Sequence, residues 1–397
     1  MNPTRTLILG GTLVTLVAAL GIGQAALEAA APRQAVEAPL FEVDPFWPKP
    51  LPNHWLLGSA IGVGVDSKDH VFIVHRGLPT LNARTEAGAA TTPPTGDCCL
   101  AAPAVLEFDP EGNLVNSWGG PGEGFDWPIS NHGIGIDHKD NVWIGGNGSD
   151  SSRFDSQVLK FTHDGRFLLQ IGKANQRPSS NGLEHFGRVA KISFDPAANE
   201  AYLSDGYSNK RVAVLDMDTG KIKRYWGAYG NKPDDTNLGP YNPDAPLAQQ
   251  FRNPVHCAEP TNDGLVYVCD RPNDRIQVFR KDGTFVKEQR IAPRTLGDGS
   301  VWDIAFSRDR GQKYLYLADG KNERIYVIDR QSLEILTTFG DGGRQPGQFF
   351  GVHSIATDSK GNIYTTETYE GKRLQKFVYK GLRRVTNESR GVPWPKP

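Results

Sequence analysis

The stretch HCAEPTNDGLVYVCDRPNDRIQVFRKDGTFVKEQ, from His256 to Gln289, decides the fold. An alternating run leads to the turn Asn262-Asp263-Gly264. A second run around Tyr267 ends at Asp270-Arg271, a third covers 276–279, and a fourth, 285–289, follows Asp282-Gly283. Period-two alternation broken by Asp-Gly turns specifies antiparallel strands in a meander. The strand-turn-strand unit occurs six times, at 61–76, 132–147, 191–207, 256–271, 302–320 and 353–368. Third strands are predicted at 105–108, 158–161, 212–215, 276–279, 325–328 and 374–377, and fourth strands at 114–118, 167–171, 222–226, 285–289, 335–339 and 382–385. One such meander cannot bury both of its apolar faces, whereas six arranged radially bury them against each other. The pattern therefore predicts an all-β, six-bladed β-propeller.

Arg5, the apolar run 7–22 and the small residues Ala25, Ala26, Ala29 and Ala30 read as a signal peptide over 1–25. If uncleaved, it is nearly long enough to be an N-terminal membrane anchor. The Ala/Pro/Glu-rich segment 26–39 reads as a flexible tether, with the propeller domain at 40–397. Export to the periplasm or beyond is the expectation, and the leader is the segment expected to tether the chain to a membrane. A formal net charge of -1 over 397 residues provides no field to recruit nucleic acid or an anionic membrane. Small molecules, peptides and neutral proteins remain as partners. The four cysteines permit two disulfides. Cys257 and Cys269 lie symmetrically about the Asn262-Asp263-Gly264 turn, where a cross-strand bridge is geometrically possible. The adjacent Cys98 and Cys99 suit a loop disulfide, with each other or between chains.

Counting back eleven residues from Trp143, Tyr267 and Tyr364 reaches His132, His256 and His353. The same count gives Ile61 and Lys191 in blades one and three, and Trp302 or Asp303 in blade five. Histidine thus occupies alternate blades, on the innermost strand, so three imidazoles converge at one mouth of the channel. One histidine there would be an ordinary channel-lining residue. Three at one register, with no fourth protein ligand, match a catalytic zinc site that keeps a position open. The second strands end on the same face, with His75-Arg76, Asp205-Gly206-Tyr207 and Asp270-Arg271. The insertions 77–103, 148–156, 172–186 and 228–251 also connect strands there and can wall a pocket.

The segments Asn209-Lys210-Arg211-Val212 and Asn273-Asp274-Arg275-Ile276 resemble the N-x-R-[IV] signature of NHL repeats. More specifically, the chain after Val43 resembles the peptidyl-α-hydroxyglycine α-amidating lyases, which are six-bladed propeller enzymes. The matching motifs are His75-Arg76-Gly77, His132-Gly133, Ser204-Asp205-Gly206-Tyr207-Ser208-Asn209 with Arg211, Asp270-Arg271 with Arg275-Ile276-Gln277, and His353. The resemblance implies zinc on His132, His256 and His353, a catalytic Tyr207, and substrate-binding Arg76 and Arg271. It also implies cleavage of a carbinolamide, N–CH(OH)–COO⁻, to an amide and glyoxylate. In that chemistry zinc acts as a Lewis acid, Tyr207 is the general base with Arg271 stabilising its phenolate, and Arg76 captures the carboxylate.

Departures from the family are specific. Asn131, Val255 and Val352 stand where a proline precedes each ligand histidine. Ser354 replaces an aspartate of the structural calcium site, so the resemblance does not carry that calcium over. Ser208 replaces a cysteine, which removes one family disulfide. No hydroxylase segment is read in this chain, and a small hydroxyglycine derivative or ureidoglycolate-like compound is therefore a candidate substrate beside a peptide. The alternative is a non-catalytic NHL propeller that binds a peptide, glycan or protein on its histidine face. Tyr207 beside an open metal position discriminates against it. A calcium-dependent lactonase-type propeller would need carboxylates and amides where this chain offers histidines.

Overall fold

A computed structural model describes residues 35–395, and within them the chain is an all-β, six-bladed propeller. The leader read at 1–25 lies outside the described residues. Blades one to five are consecutive meanders, beginning with Ala60–Val65, Asn131–Ile136, Val189–Asp195, Val255–Pro260 and Asp303–Phe306. Each of these first strands, with Val352–Thr357 of blade six, lies beside the first strands of the neighbouring blades, which closes the inner ring. Six apolar clusters sit between successive blades, so each interface has its own core. No helix among the described residues is long and apolar enough to cross a membrane.

Blade six corrects two expectations. Residues 382–385 are not a fourth strand, because Leu374–Val385 runs on as one long third strand. Gly381, at φ 90°, makes a bulge there instead of a hairpin turn. The fourth strand is Val36–Asp44, so the end of the segment read as a tether closes the ring, pairing Val36 with Val385 and Asp44 with Lys376. Phe41 is fully buried in this strand against Tyr316 and Phe339.

The NHL-like signature acquires a physical cause. Arg211 Nε and Asn209 Nδ2 donate to Asp205 Oδ2 at 2.8 and 2.7 Å, and Arg275 Nε and Asn273 Nδ2 donate to Asp270 Oδ2 at the same two distances. The second oxygens accept Gly187 N and Arg252 N, which fastens the segment entering each blade. Both disulfides allowed by the cysteine count are present, Cys257 with Cys269 across strands and Cys98 with Cys99 in the blade-one insertion. They fit an oxidising compartment.

Beside this signature, Asp274 caps the turn in a left-handed conformation (φ 52°), with Oδ1 accepting Ser300 N and Oγ while Oδ2 is buried without a partner among the described residues. Burial pushes its carboxyl up to about 7 from an ordinary 3.8. The folded protein therefore holds this proton more tightly than the unfolded chain, and stability is lost as pH rises from about 4 to about 7. Asp274→Asn keeps the left-handed turn and the acceptor without the charge. Its melting temperature is expected to exceed wild type by roughly 2–4 °C at pH 8 and to converge with it near pH 4, as read by calorimetry across that range.

Candidate metal centre

Each histidine occupies a β-bulge in its blade's first strand. The ladder skips a residue between Asn131 and Ile134, Val255 and Cys257, and Val352 and Ser354, and the extra residue turns out of the ladder. Blades one and three carry the same bulge at Ile61 and Ala190. The blade-three counterpart of the histidines is therefore Ala190, not Lys191. A 3-10 turn at Pro196–Ala198 lengthens that hairpin by one residue, so a count back from Tyr202 slips. Lys191 lies one step further along, paired with Asp303 at 2.6 Å and Glu259 at 2.8 Å.

The bulges also orient the imidazoles. Nδ1 of His132 meets Ala190 O at 2.6 Å, Nδ1 of His353 meets Ile61 O at 2.6 Å, and Nδ1 of His256 meets Trp302 O. Ala190 and Ile61 are the bulge positions of their blades, and Trp302 stands just ahead of blade five's first strand. Donation from Nδ1 leaves the Nε2 lone pair free, the tautomer a metal ligand requires. The three side chains are buried, and their ligand atoms lie within 4.8 Å of one another. Burial, reinforced by the neighbouring guanidinium charges, pushes all three well below the ordinary histidine value, which favours the uncharged form. The group can hold a metal ion.

Tyr207 meets the trio from blade three. Its hydroxyl is 2.8 Å from His132 Nε2 and 3.3 Å from His256 Nε2. Two features place it there: the buried Asp205 clasp two residues earlier, and Gly206, where a Cβ would lie 2.0 Å from Val255 O. Arg76 reaches Asn147 Oδ1 at 3.0 Å and Asn131 O at 3.3 Å. His75 before it is structural: burial lowers it to about 4, and its Nδ1 accepts the amides of Gly58 and Gly77. Arg271 lies 4.5 Å over the Trp302 ring and 6.0 Å from the Tyr207 ring, and its Nη2 is 3.4 Å from Asp298 Oδ1. Its buried Nε has no hydrogen-bond partner among the described residues.

Sequence reasoning missed Arg188, which donates to Tyr207 O at 2.9 Å and lies 5.9 Å from that ring. It also missed Tyr369, packed on Trp302 and 3.4 Å from Asp298 Oδ2. A signal for Tyr369 was available: Glu367-Thr368-Tyr369 ends its second strand at the register of Asp205-Gly206-Tyr207. Of the insertions, the one between blades three and four lines a cavity of about 260 Å³ together with Arg271 and Asp298. A second cavity, of about 220 Å³, lies between Asp298, Trp302 and Tyr369. The larger cavity of about 450 Å³ is at the opposite mouth, around Lys191, Glu259 and Arg308, and none of the three histidines lines it. Chemistry, not volume, singles out the histidine face.

Fold and site together define a six-bladed propeller whose one face carries a three-histidine group able to hold a metal. In comparison with known proteins, the chain is 25% identical over 359 residues to peptidyl-alpha-hydroxyglycine alpha-amidating lyase 1 of Drosophila melanogaster, covering 85% of this chain and 59% of that protein. It is 27% identical over 322 residues to peptidylglycine alpha-amidating monooxygenase of Rattus norvegicus, covering 80% of this chain and 30% of that one. The chain thus spans less than two thirds of the length of either relative. It is also similar to NHL repeat-containing protein 3 of Mus musculus, at 23% identity over 86% of this chain and 85% of that protein. Among solved structures, a streptogramin B lyase superposes with a TM-score of 0.51 at 12% identity, over 86% of this chain and 98% of that one, which supports the fold. No protein-family profile matches the chain.

Proposed function

We propose that the chain is an exported zinc-dependent lyase that cleaves a carbinolamide, of the peptidyl-α-hydroxyglycine kind, to an amide and glyoxylate. The observation that carries this reading is the Tyr207 hydroxyl, held 2.8 and 3.3 Å from two Nε2 atoms of a neutral histidine trio. The donor set fits zinc: three buried imidazoles, each with Nδ1 committed to a carbonyl. Zinc held by His132, His256 and His353 would supply Lewis acidity toward a substrate hydroxyl or carboxylate oxygen.

The chain's own residues supply the rest. Tyr207 takes the proton of the substrate hydroxyl as C–O becomes C=O. The C–N electron pair returns to nitrogen, which takes that proton back from Tyr207 and leaves as the amide, with glyoxylate as the other product. Arg271 and Arg188, each within about 6 Å of the Tyr207 ring, place positive charge beside it. Arg76, steadied by Asn147, is the fork for the substrate carboxylate. Arg76→Ala is expected to raise KM for a carboxylate substrate about tenfold to a hundredfold, the worth of a charged hydrogen bond, with bound metal unchanged. Steady-state kinetics alongside metal analysis checks this.

Glyoxylate release from α-hydroxyhippurate by zinc-loaded protein tests the proposal. Stoichiometric zinc with no turnover on any carbinolamide would leave the second reading, a binding propeller. The similarity over most of the length of NHL repeat-containing protein 3 favours that reading.

A further inference from the structure

We infer that Asp66, His70, Glu107 and His163 form a second metal site, for a first-row divalent cation of the zinc class, on the face opposite the histidine trio. Their ligand atoms lie within 4.8 Å of one another. His70 Nδ1 is 2.6 Å from Glu107 Oε1, and His163 Nε2 is 3.1 Å from Asp66 Oδ2 and 3.3 Å from Glu107 Oε1. Tetrahedral ligands about 2.0–2.1 Å from a zinc ion sit about 3.3 Å apart, so small side-chain adjustments suffice.

The site arises from departures within the repeat. Asp66 is the turn aspartate that recurs as Asp137 in blade two and Asp358 in blade six. In those blades its free oxygen is satisfied by neutral donors: Trp143 Nε1 and Asn141 Nδ2 on Asp137, and Tyr364 Oη and Asn362 Nδ2 on Asp358. Blade one replaces the indole or phenol with Phe72 and the asparagine with His70. The third-strand residue opposite this aromatic is Lys160 in blade two and Lys376 in blade six, but Glu107 in blade one. Lys160 Nζ lies 3.5 Å from Asp137 Oδ2, so blade two neutralises its aspartate where blade one adds a second negative charge.

Both carboxylates are shielded from water, with side-chain exposures of 0% for Asp66 and 3% for Glu107. Neither pairs with a lysine or arginine among the described residues. A divalent cation held between them compensates both buried carboxylates. Asp66 is oriented for this role, since its Oδ1 accepts the amides of Lys68 and His70 at 2.8 Å and leaves Oδ2 facing the cluster. The imidazoles are partly exposed, which leaves an ion a route in. Mixed imidazole and carboxylate donors select a borderline transition ion over calcium or magnesium. Three ligands come from blade one and His163 from blade two, so the ion would staple adjacent blades.

The test is zinc stoichiometry and thermal stability of the full chain, with Zn²⁺ alone as the probe. Glu107→Lys with His70→Asn restores the blade-two pattern, and is expected to fold while losing one of two zinc equivalents. In a His132→Ala/His256→Ala background, one equivalent should remain, with a melting temperature that falls on chelation, and the blade-one pair of substitutions should remove both effects. His163→Gln provides a second route to the same loss. Unchanged zinc content in the Glu107→Lys/His70→Asn variant, or no chelatable zinc in the background lacking the trio, would overturn the assignment in favour of a metal-free imidazole–carboxylate cluster. Neither readout depends on the proposed lyase activity.

Discussion

Tyr207→Phe is expected to lower the rate of glyoxylate release about a hundredfold to ten-thousandfold, the range associated with loss of a positioned general base. The substitution removes one oxygen. The ring keeps its edge contact with His132 and its place beside Arg188 and Arg271. Bound zinc and KM should therefore stay close to wild type while kcat falls. A purely structural role would show the opposite split, with metal content or melting temperature dropping and kcat little affected by comparison. Steady-state kinetics and metal analysis on one preparation separate the two.

Asp205→Ala is expected to be the most damaging single change to stability, at about 3–5 kcal/mol, because it strands a buried charge. Arg211 is fully buried, and among the described residues Asp205 is its one carboxylate partner. Asn209 and the Gly187 amide lose an acceptor at the same time. Since Asp205 stands two residues before Tyr207, some activity should be lost with the stability. Equilibrium urea denaturation gives the size of the effect, and a cost below about 1 kcal/mol would contradict this account of the clasp. Replacing Asp205 and Arg211 together by apolar residues should be milder than either single loss, since no charge is then left uncompensated.

Most of the ring was legible in the sequence because it is local. Asp-Gly and Asn-Asp-Gly turns between short alternating runs fix hairpins within a few residues, and the hairpin register carries His132, His256 and His353 to one mouth. The closing strand was not legible, because Val36–Asp44 pairs with residues more than three hundred positions away and no turn signal links them. Lys191 was misplaced because one extra residue in a hairpin shifts everything counted through it. Arg188 lies just ahead of its blade's first strand, in a segment where no periodicity operates, so only tertiary packing reveals it. The Asp66 cluster illustrates a different limit. Its residues are visible as departures from the repeat, yet the departures acquire meaning only once His163 of the next blade is seen to complete the group.

The most direct test of the central claim, that alternate blades share one metal, is diffraction from zinc-loaded crystals with data on both sides of the zinc absorption edge. The account predicts an anomalous peak bounded by Nε2 of His132, His256 and His353, about 2.0–2.1 Å from each. Zinc-loaded crystals with no peak among these three nitrogens, and the imidazoles ordered as described, would contradict it.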